Sequence, residues 1–296
     1  MGSDAGHVPV LLAETLELLG VRPGGLWVDG TVGLGGHAEA VLRATAPAGR
    51  LRGFDRDSEA LARARARLLP FGDRVRLEHA DYREIKERLA GEAADGILLD
   101  LGVSSLQLDD AERGFSFQRE GPLDMRMDRS ERGGASELVN RMRESDLADL
   151  IHEFGEEPYS RRIARAIARA REKAPIATTT ELAEIVRRAA PKSRRPGFHP
   201  ATRTFQALRI RTNRELDGLE PALEQAAECL RPAGRMAVIA FHSLEDRAAK
   251  QAFRSLETRG FRVLTKKPLR PGEQETRDNP RSRSARLRAV VREEAA

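Results

Sequence analysis

Leu26-Trp27-Val28-Asp29-Gly30-Thr31-Val32-Gly33-Leu34-Gly35-Gly36-His37 decides how the rest of the chain is read. A short apolar run ends on an acid, glycines follow, and helical spacing runs from His37 to about Arg43. Strand, glycine turn and helix form the opening unit of an α/β sheet. Working outward, Gly49–Asp55 reads as a second strand, 58–68 as a second helix, Val75–Leu77 as a third strand and Gly96–Asp100 as a fourth. Strands and helices alternating at this length predict a parallel sheet covered on both faces.

The rhythm breaks between residues 106 and 212, where helices and loops replace strands. Leu138, Val139 and Met142 share a helical face, as do Leu147, Leu150 and Ile151. Ile163, Ile167 and Ala170 form a stripe opposite Arg161, Arg162, Arg165 and Arg169. Thr178-Thr179-Thr180-Glu181 has capping-box spacing before Leu182, Ile185 and Val186. Pro191 closes that helix, and Lys192–Pro200 reads as a basic loop. The α/β rhythm then returns. A helix is expected over Leu216–Leu230 with Gly234 as its stop, a fifth strand over Met236–Phe241, and two last strands at Phe261–Leu264 and Leu287–Val291. The expected organisation is a sheet domain made of 1–105 and 213–296, interrupted by a helical insert, 106–212, between strands four and five.

The chain has 296 residues, 40% hydrophobic and only 4% aromatic, so the core must be mostly Leu, Val, Ile and Ala. Cys229 is the single cysteine, which excludes a disulfide framework and favours a cytoplasmic reading as a small buried apolar side chain. No apolar run is long enough to span a bilayer, so no membrane partner is expected. The net charge is +5, unevenly spread: residues 160–214 carry +12, 259–288 carry +7, and the remainder −14. Such separation points to a polyanionic partner facing two basic regions.

Glycines between a strand and a helix allow close backbone approach to a ligand, and the helix start offers unpaired N–H donors. Asp55 ends the next strand, twenty positions after Gly35, where a carboxylate can accept from both hydroxyls of a ribose. The same arrangement suits any ribose-bearing cofactor, NAD included. However, Gly33-Leu34-Gly35-Gly36 leaves no later glycine in the helix, a departure from dinucleotide spacing. A cofactor without a pyrophosphate fits better, and S-adenosylmethionine is one.

Beyond these residues, Asp100–Ser105 with Gln107-Leu108-Asp109-Asp110, Gly114–Phe117, Gly121–Asp128, His199–Ile210, Phe241–Arg247 and Asn279–Arg283 complete a pattern along nearly the whole chain. Together with Asp29–His37 the pattern resembles the RsmH (MraW) family. The resemblance implies a class I (Rossmann-like) methyltransferase sheet with an inserted helical domain. It implies methylation of the N4 amino group of a decoding-centre cytidine (position 1402) in 16S rRNA of the small ribosomal subunit or its assembly particle. It also implies cofactor contacts from Gly35, Gly36, His37, Asp55, Tyr82, Asp100 and Gln107, with Tyr82 stacking on the adenine. The family often has Phe at that position, and Leu106 stands where it usually has Pro. A homodimer is compatible with all of this.

Methyl transfer to nitrogen needs alignment rather than a metal or a covalent nucleophile. A cytosine amino group is a poor nucleophile, so acceptors aimed at its N–H bonds would help. Asp100 and His242 are the catalytic candidates, His242 lying in Phe241–Arg247 after strand five. His7, His79 and His199 lack partners at zinc-ligand spacing, and Asp109, Asp110, Asp124 and Asp128 are expected to bond to Arg126 or backbone rather than Mg²⁺, so no metal is expected. For RNA the candidates are Arg194, Arg195, His199 and Arg203 in the insert, and Arg281 and Arg283 near the end of the chain. Phe198 and His199 are candidates for stacking on an unpaired base.

Overall fold

A computed structural model of the chain describes residues 9–191 and 199–294. Seven strands form one sheet: β1 (Leu26–Asp29), β2 (Arg50–Asp55), β3 (Val75–His79), β4 (Ala94–Asp100), β5 (Leu230–Ala240), β6 (Phe261–Val263) and β7 (Arg286–Arg292). Their order is β3-β2-β1-β4-β5-β7-β6. The first five are parallel to one another, and β7 runs antiparallel to β5 and β6. β1 and the first six residues of β4 are buried throughout, as strands covered on both faces must be. Trp27, Phe54, Ile97, Leu99, Val238 and Ile239 supply the centre of this core. The direction of winding reverses between β1 and β4, so the carboxyl ends of these two strands border the crevice where ligands bind in open α/β sheets.

The strand borders differ from the sequence reading chiefly at β5. The preceding helix ends at Glu228 rather than Leu230, and the strand begins at Leu230 rather than Met236. Arg231-Pro232-Ala233-Gly234 resembles a turn, and Ala233 does have a left-handed φ of 62°. Yet the segment is an irregularity within the strand: Ala94 pairs with Leu230 and Gly96 with Arg235. Gly234 is therefore no helix stop; a Cβ there would lie 2.8 Å from the Arg231 carbonyl and 3.0 Å from that of Ala94. Helices not read from the sequence also belong to the fold, among them Leu12–Leu19, Ser243–Leu256 and Glu273–Asp278.

The chain folds into two compact units, Met1–Gly102 with Gly218–Ala296, and Val103–Asp217. The second unit holds helices Ala135–Arg141, Glu144–Gly155, Ser160–Arg171, Thr179–Ala189 and Thr202–Asn213. Leu147, Ile151, Ile163, Ile167, Leu182, Val186 and Leu208 meet in its own core. Two buried polar residues organise its irregular segment. Arg113 donates to the carbonyls of Arg126 and Met127, at 3.1 and 2.8 Å. Asn213 accepts from Met127 N–H and donates to the Met125 carbonyl, both at 2.7 Å. No helix among the described residues is long and apolar enough to cross a membrane.

Candidate active site

In the sheet unit, acids end β1, β2 and β4, and Asp81 caps the turn that follows β3. Asp29 is buried and accepts from Thr31 N–H at 3.1 Å. Burial, assisted by the nearby charge of Asp55, pushes its carboxyl up to about 7 despite that hydrogen bond. Asp55 accepts from Gly33 N–H at 2.7 Å and from Asp57 N–H at 2.8 Å, one bond to each oxygen. Burial raises its carboxyl to about 6. Each oxygen retains a second lone pair, so further donors can be accepted.

Asp55 thereby pins the glycine turn that faces it. Gly35 stands at the N-cap of helix Gly36–Ala44 with φ 80°, a left-handed conformation that disfavours side chains. Gly36 is small for a different reason: its Cβ would lie 2.6 Å from Pro9 Cγ. The segment Pro9-Val10-Leu11 crosses this turn and is held at two points. The Val10 carbonyl is 3.0 Å from His37 Nε2, and Leu11 N–H donates to Glu275 Oε1 at 2.7 Å.

Asp100 receives the least satisfaction of the three acids. Its backbone N–H donates to Thr31 Oγ1 at 2.6 Å, and its Oδ2 is 3.5 Å from His37 Nδ1. Its Oδ1 is buried and has no hydrogen-bond partner among the described residues. Burial, then the charges of Asp29 and Glu245, raise this carboxyl well above the ordinary range. Tyr82 opens the short turn after β3, half-buried, with the Arg83 guanidinium 5.7 Å from its ring centre. Arg83 is itself paired to Asp81 at 2.7 Å.

His242 has a definite structural task. It is the N-cap of helix Ser243–Leu256, its Nδ1 accepting from Glu245 N–H at 3.3 Å. Glu245 returns the interaction, accepting from Phe241 and His242 N–H at 2.8 and 3.3 Å. This is a capping box with an imidazole as acceptor, and the His-x-x-Glu spacing was its visible signal. His242 Nε2 lies 3.2 Å from Glu245 Oε1, but the angle is too poor for a hydrogen bond.

Gln107 belongs to the helical unit and closes another capping box: its Oε1 accepts from Ser104 N–H at 3.0 Å, and Ser104 Oγ accepts from Gln107 N–H at 3.3 Å. Leu106 is the second residue of that helix, where an N–H has no intrahelical acceptor and Pro would fit equally. The other acids of the region bond locally. Asp124 chelates Arg126 at 2.5 and 3.0 Å, Asp128 accepts from Ser130, and Asp110 accepts from Glu112 N–H.

Among the RNA candidates, Arg194 and Arg195 lie outside the described residues, as do Phe198 and His7. His199 packs on Phe117 with centroids 4.6 Å apart, and its Nδ1 accepts from Ala201 N–H at 3.1 Å. Burial and then Arg187 lower its pKa, so one ring face is taken and the ring stays neutral near pH 7. Arg203 lies 3.7 Å from the buried carboxylate of Glu157. Arg281 and Arg283 are exposed on the turn Pro280–Ser284, preceding β7.

A parallel sheet with this strand order and an antiparallel β7, carrying a glycine turn and acids at its strand ends, defines a class I S-adenosylmethionine-dependent methyltransferase. The chain belongs to the MraW methylase family, whose model matches residues 4–293. It is 50% identical to the ribosomal RNA small subunit methyltransferase H of Symbiobacterium thermophilum, over 98% of this chain and 97% of that one. The protein of the same name from Geotalea daltonii is 51% identical, over 97% and 99%. That from Acidobacterium capsulatum is also 51% identical, over 96% and 97%.

Proposed function

We propose that this chain methylates the N4 amino group of the decoding-centre cytidine at position 1402 in 16S rRNA of the small ribosomal subunit. Family membership supports an rRNA substrate. The observation that carries the chemistry is Asp100: a buried carboxylate oxygen without a partner, at the end of the strand beside the glycine turn. S-adenosylmethionine, when bound, supplies an electrophilic methyl group on a sulfonium. The residues present suit it. The glycine turn offers backbone N–H groups, Asp55 has lone pairs for two ribose hydroxyls, and Tyr82 offers a ring for an adenine. Gly35, Gly36, His37 and Gln107 complete the proposed cofactor set.

Asp100 accepts an N–H of the target amino group and turns its lone pair toward the methyl carbon. Bound S-adenosylmethionine would supply the methyl group to that nitrogen, the C–S electron pair being left on sulfur. The methylated nitrogen then sheds one proton, which the Asp100 carboxylate takes. A carboxyl raised toward neutrality is a stronger base than an ordinary one, which suits that task. His242 acts by fixing Phe241–Glu245 rather than by touching the substrate. Arg194, Arg195, Arg203, Arg281 and Arg283 contact phosphates, and His199 contributes to the same RNA surface. The cytosine must leave its stack to react.

The test is single-turnover methylation of small-subunit RNA particles, with the product base located by mass spectrometry. Asp100→Asn keeps the size and one acceptor oxygen but loses the charge. We expect turnover to fall by about 10²–10⁴-fold at saturating cofactor, with cofactor affinity within about tenfold of wild type. Full recovery at saturation removes the catalytic role, and a methyl group on another base overturns the target.

A further inference from the structure

We propose that His37 is the positioning residue for Asp100: it engages Oδ2 and so fixes the carboxylate that receives the amino group. The inference rests on the methyl transfer proposed above. His37 has a nearly buried side chain, 7% exposed, in the first turn of helix Gly36–Ala44. Its Nε2 lies 3.0 Å from the Val10 carbonyl. A carbonyl can only accept, so Nε2 carries a hydrogen. Nδ1 lies 3.5 Å from Asp100 Oδ2.

Among the described residues, three ionisable groups face Asp100 from three elements. Asp29 from β1 and Glu245 from helix Ser243–Leu256 both oppose negative charge on it. His37 is within salt-bridge distance and can favour that charge. Arginine or lysine there would keep Asp100 ionised but too weak as a base. An imidazole can take up and release a proton where arginine and lysine stay charged, so at 3.5 Å ring and carboxylate can exchange one. Pro9–Leu11 holds the ring from behind: Val10 fixes Nε2, and Glu275 fixes Leu11. The packing of Pro9 on Gly36 keeps that segment in place.

Two measurements test the inference. In the cofactor-free full chain, the His37 imidazole nitrogens are titrated by NMR in wild type and in Asp100→Asn. Loss of the neighbouring carboxylate should lower the His37 midpoint by about one pH unit, a tenfold change in proton affinity. An unchanged midpoint overturns the pairing. Separately, single-turnover rates at saturating S-adenosylmethionine are followed with pH in wild type and His37→Gln. Without the imidazole, the acidic limb should move up by about one unit, so the rate falls about tenfold near neutrality and recovers in alkali. A uniform loss at every pH would mean His37 only braces the fold, and overturns the proposal. If His37→Gln does not fold, the NMR titration decides alone. A wild-type chain that methylates no small-subunit particle overturns the proposed function, while the titration still decides the pair.

Discussion

Three acids at strand ends, each with its carboxyl raised by desolvation, cost the folded chain stability. Asp29 shows this most clearly, with its carboxyl raised from 3.8 to about 7. In the unfolded chain it ionises near its ordinary value, so between the two the native state binds more protons. Its contribution to stability is fully present below about 3.8 and is lost as pH rises toward 7. Asp29→Asn can still accept from Thr31 N–H, yet has no charge to desolvate. We expect it to match wild type near pH 4 and to exceed it in alkali by roughly 2–4 kcal/mol, read from denaturant unfolding at both pH values. An equal difference at both would exclude the charge as the cause. Asp55→Ala should weaken S-adenosylmethionine by about 1–3 kcal/mol, since two hydroxyls lose a charged acceptor; wild-type affinity in calorimetry would remove the ribose assignment. The strand-end positions of Asp55 and Asp100 were legible because each closes a stretch that reads as a strand. The His37–Asp100 approach was not, since 63 positions separate them and only the β1–β4 pairing brings them together.

Among the elements, regular periodicity was read well and irregular segments poorly. The stripe Ile163, Ile167 and Ala170 lies on a real helix, with both isoleucines buried in the core of their unit. The capping box expected at Thr178 is half formed. Thr178 accepts from Glu181 N–H at 3.2 Å, but Glu181 turns to Ala177 N–H at 3.1 Å instead of the cap's own. Thr178→Ala should therefore cost about 1 kcal/mol, the loss of a single cap bond, in denaturant unfolding. A change near zero would show that water replaces the hydroxyl at no cost. Helix Leu12–Leu19 was missed because its start depends on a distant residue. Leu11 adopts φ 52° and is tied to Glu275, far along the chain. Glu275→Ala should speed amide exchange at Leu11 by roughly ten- to a hundredfold, as expected for one lost bond to a carboxylate. An unchanged exchange rate would mean that another contact anchors the segment.

At the scale of the whole molecule, the charge count needs correction by geometry. The +12 of residues 160–214 includes arginines that already have acidic partners. Arg187 and Arg188 both hold Glu184 at 2.6 Å, and together they keep its carboxyl down at about 2. Arg209 is paired to Glu215 at 2.8 Å. Such cations meet RNA with part of their field already cancelled, so they should contribute less than a formal count suggests. Arg281 and Arg283 are both exposed on the turn Pro280–Ser284. We expect Arg281→Gln with Arg283→Gln to weaken binding to small-subunit RNA at every sequence. Each lost phosphate contact should flatten the logarithmic salt dependence by about 0.7–0.9. Arg187→Gln should flatten it less, because the wild-type side chain has its own carboxylate to leave. S-adenosylmethionine affinity should stay constant in both variants, which separates a lost phosphate contact from a damaged sheet unit. The measurement is RNA affinity across a salt series for the three proteins. Equal slopes for wild type and the double variant would mean that Arg281 and Arg283 are merely solvated. A larger change for Arg187→Gln would mean that its pair with Glu184 opens on binding and that the helical unit carries the main phosphate contacts.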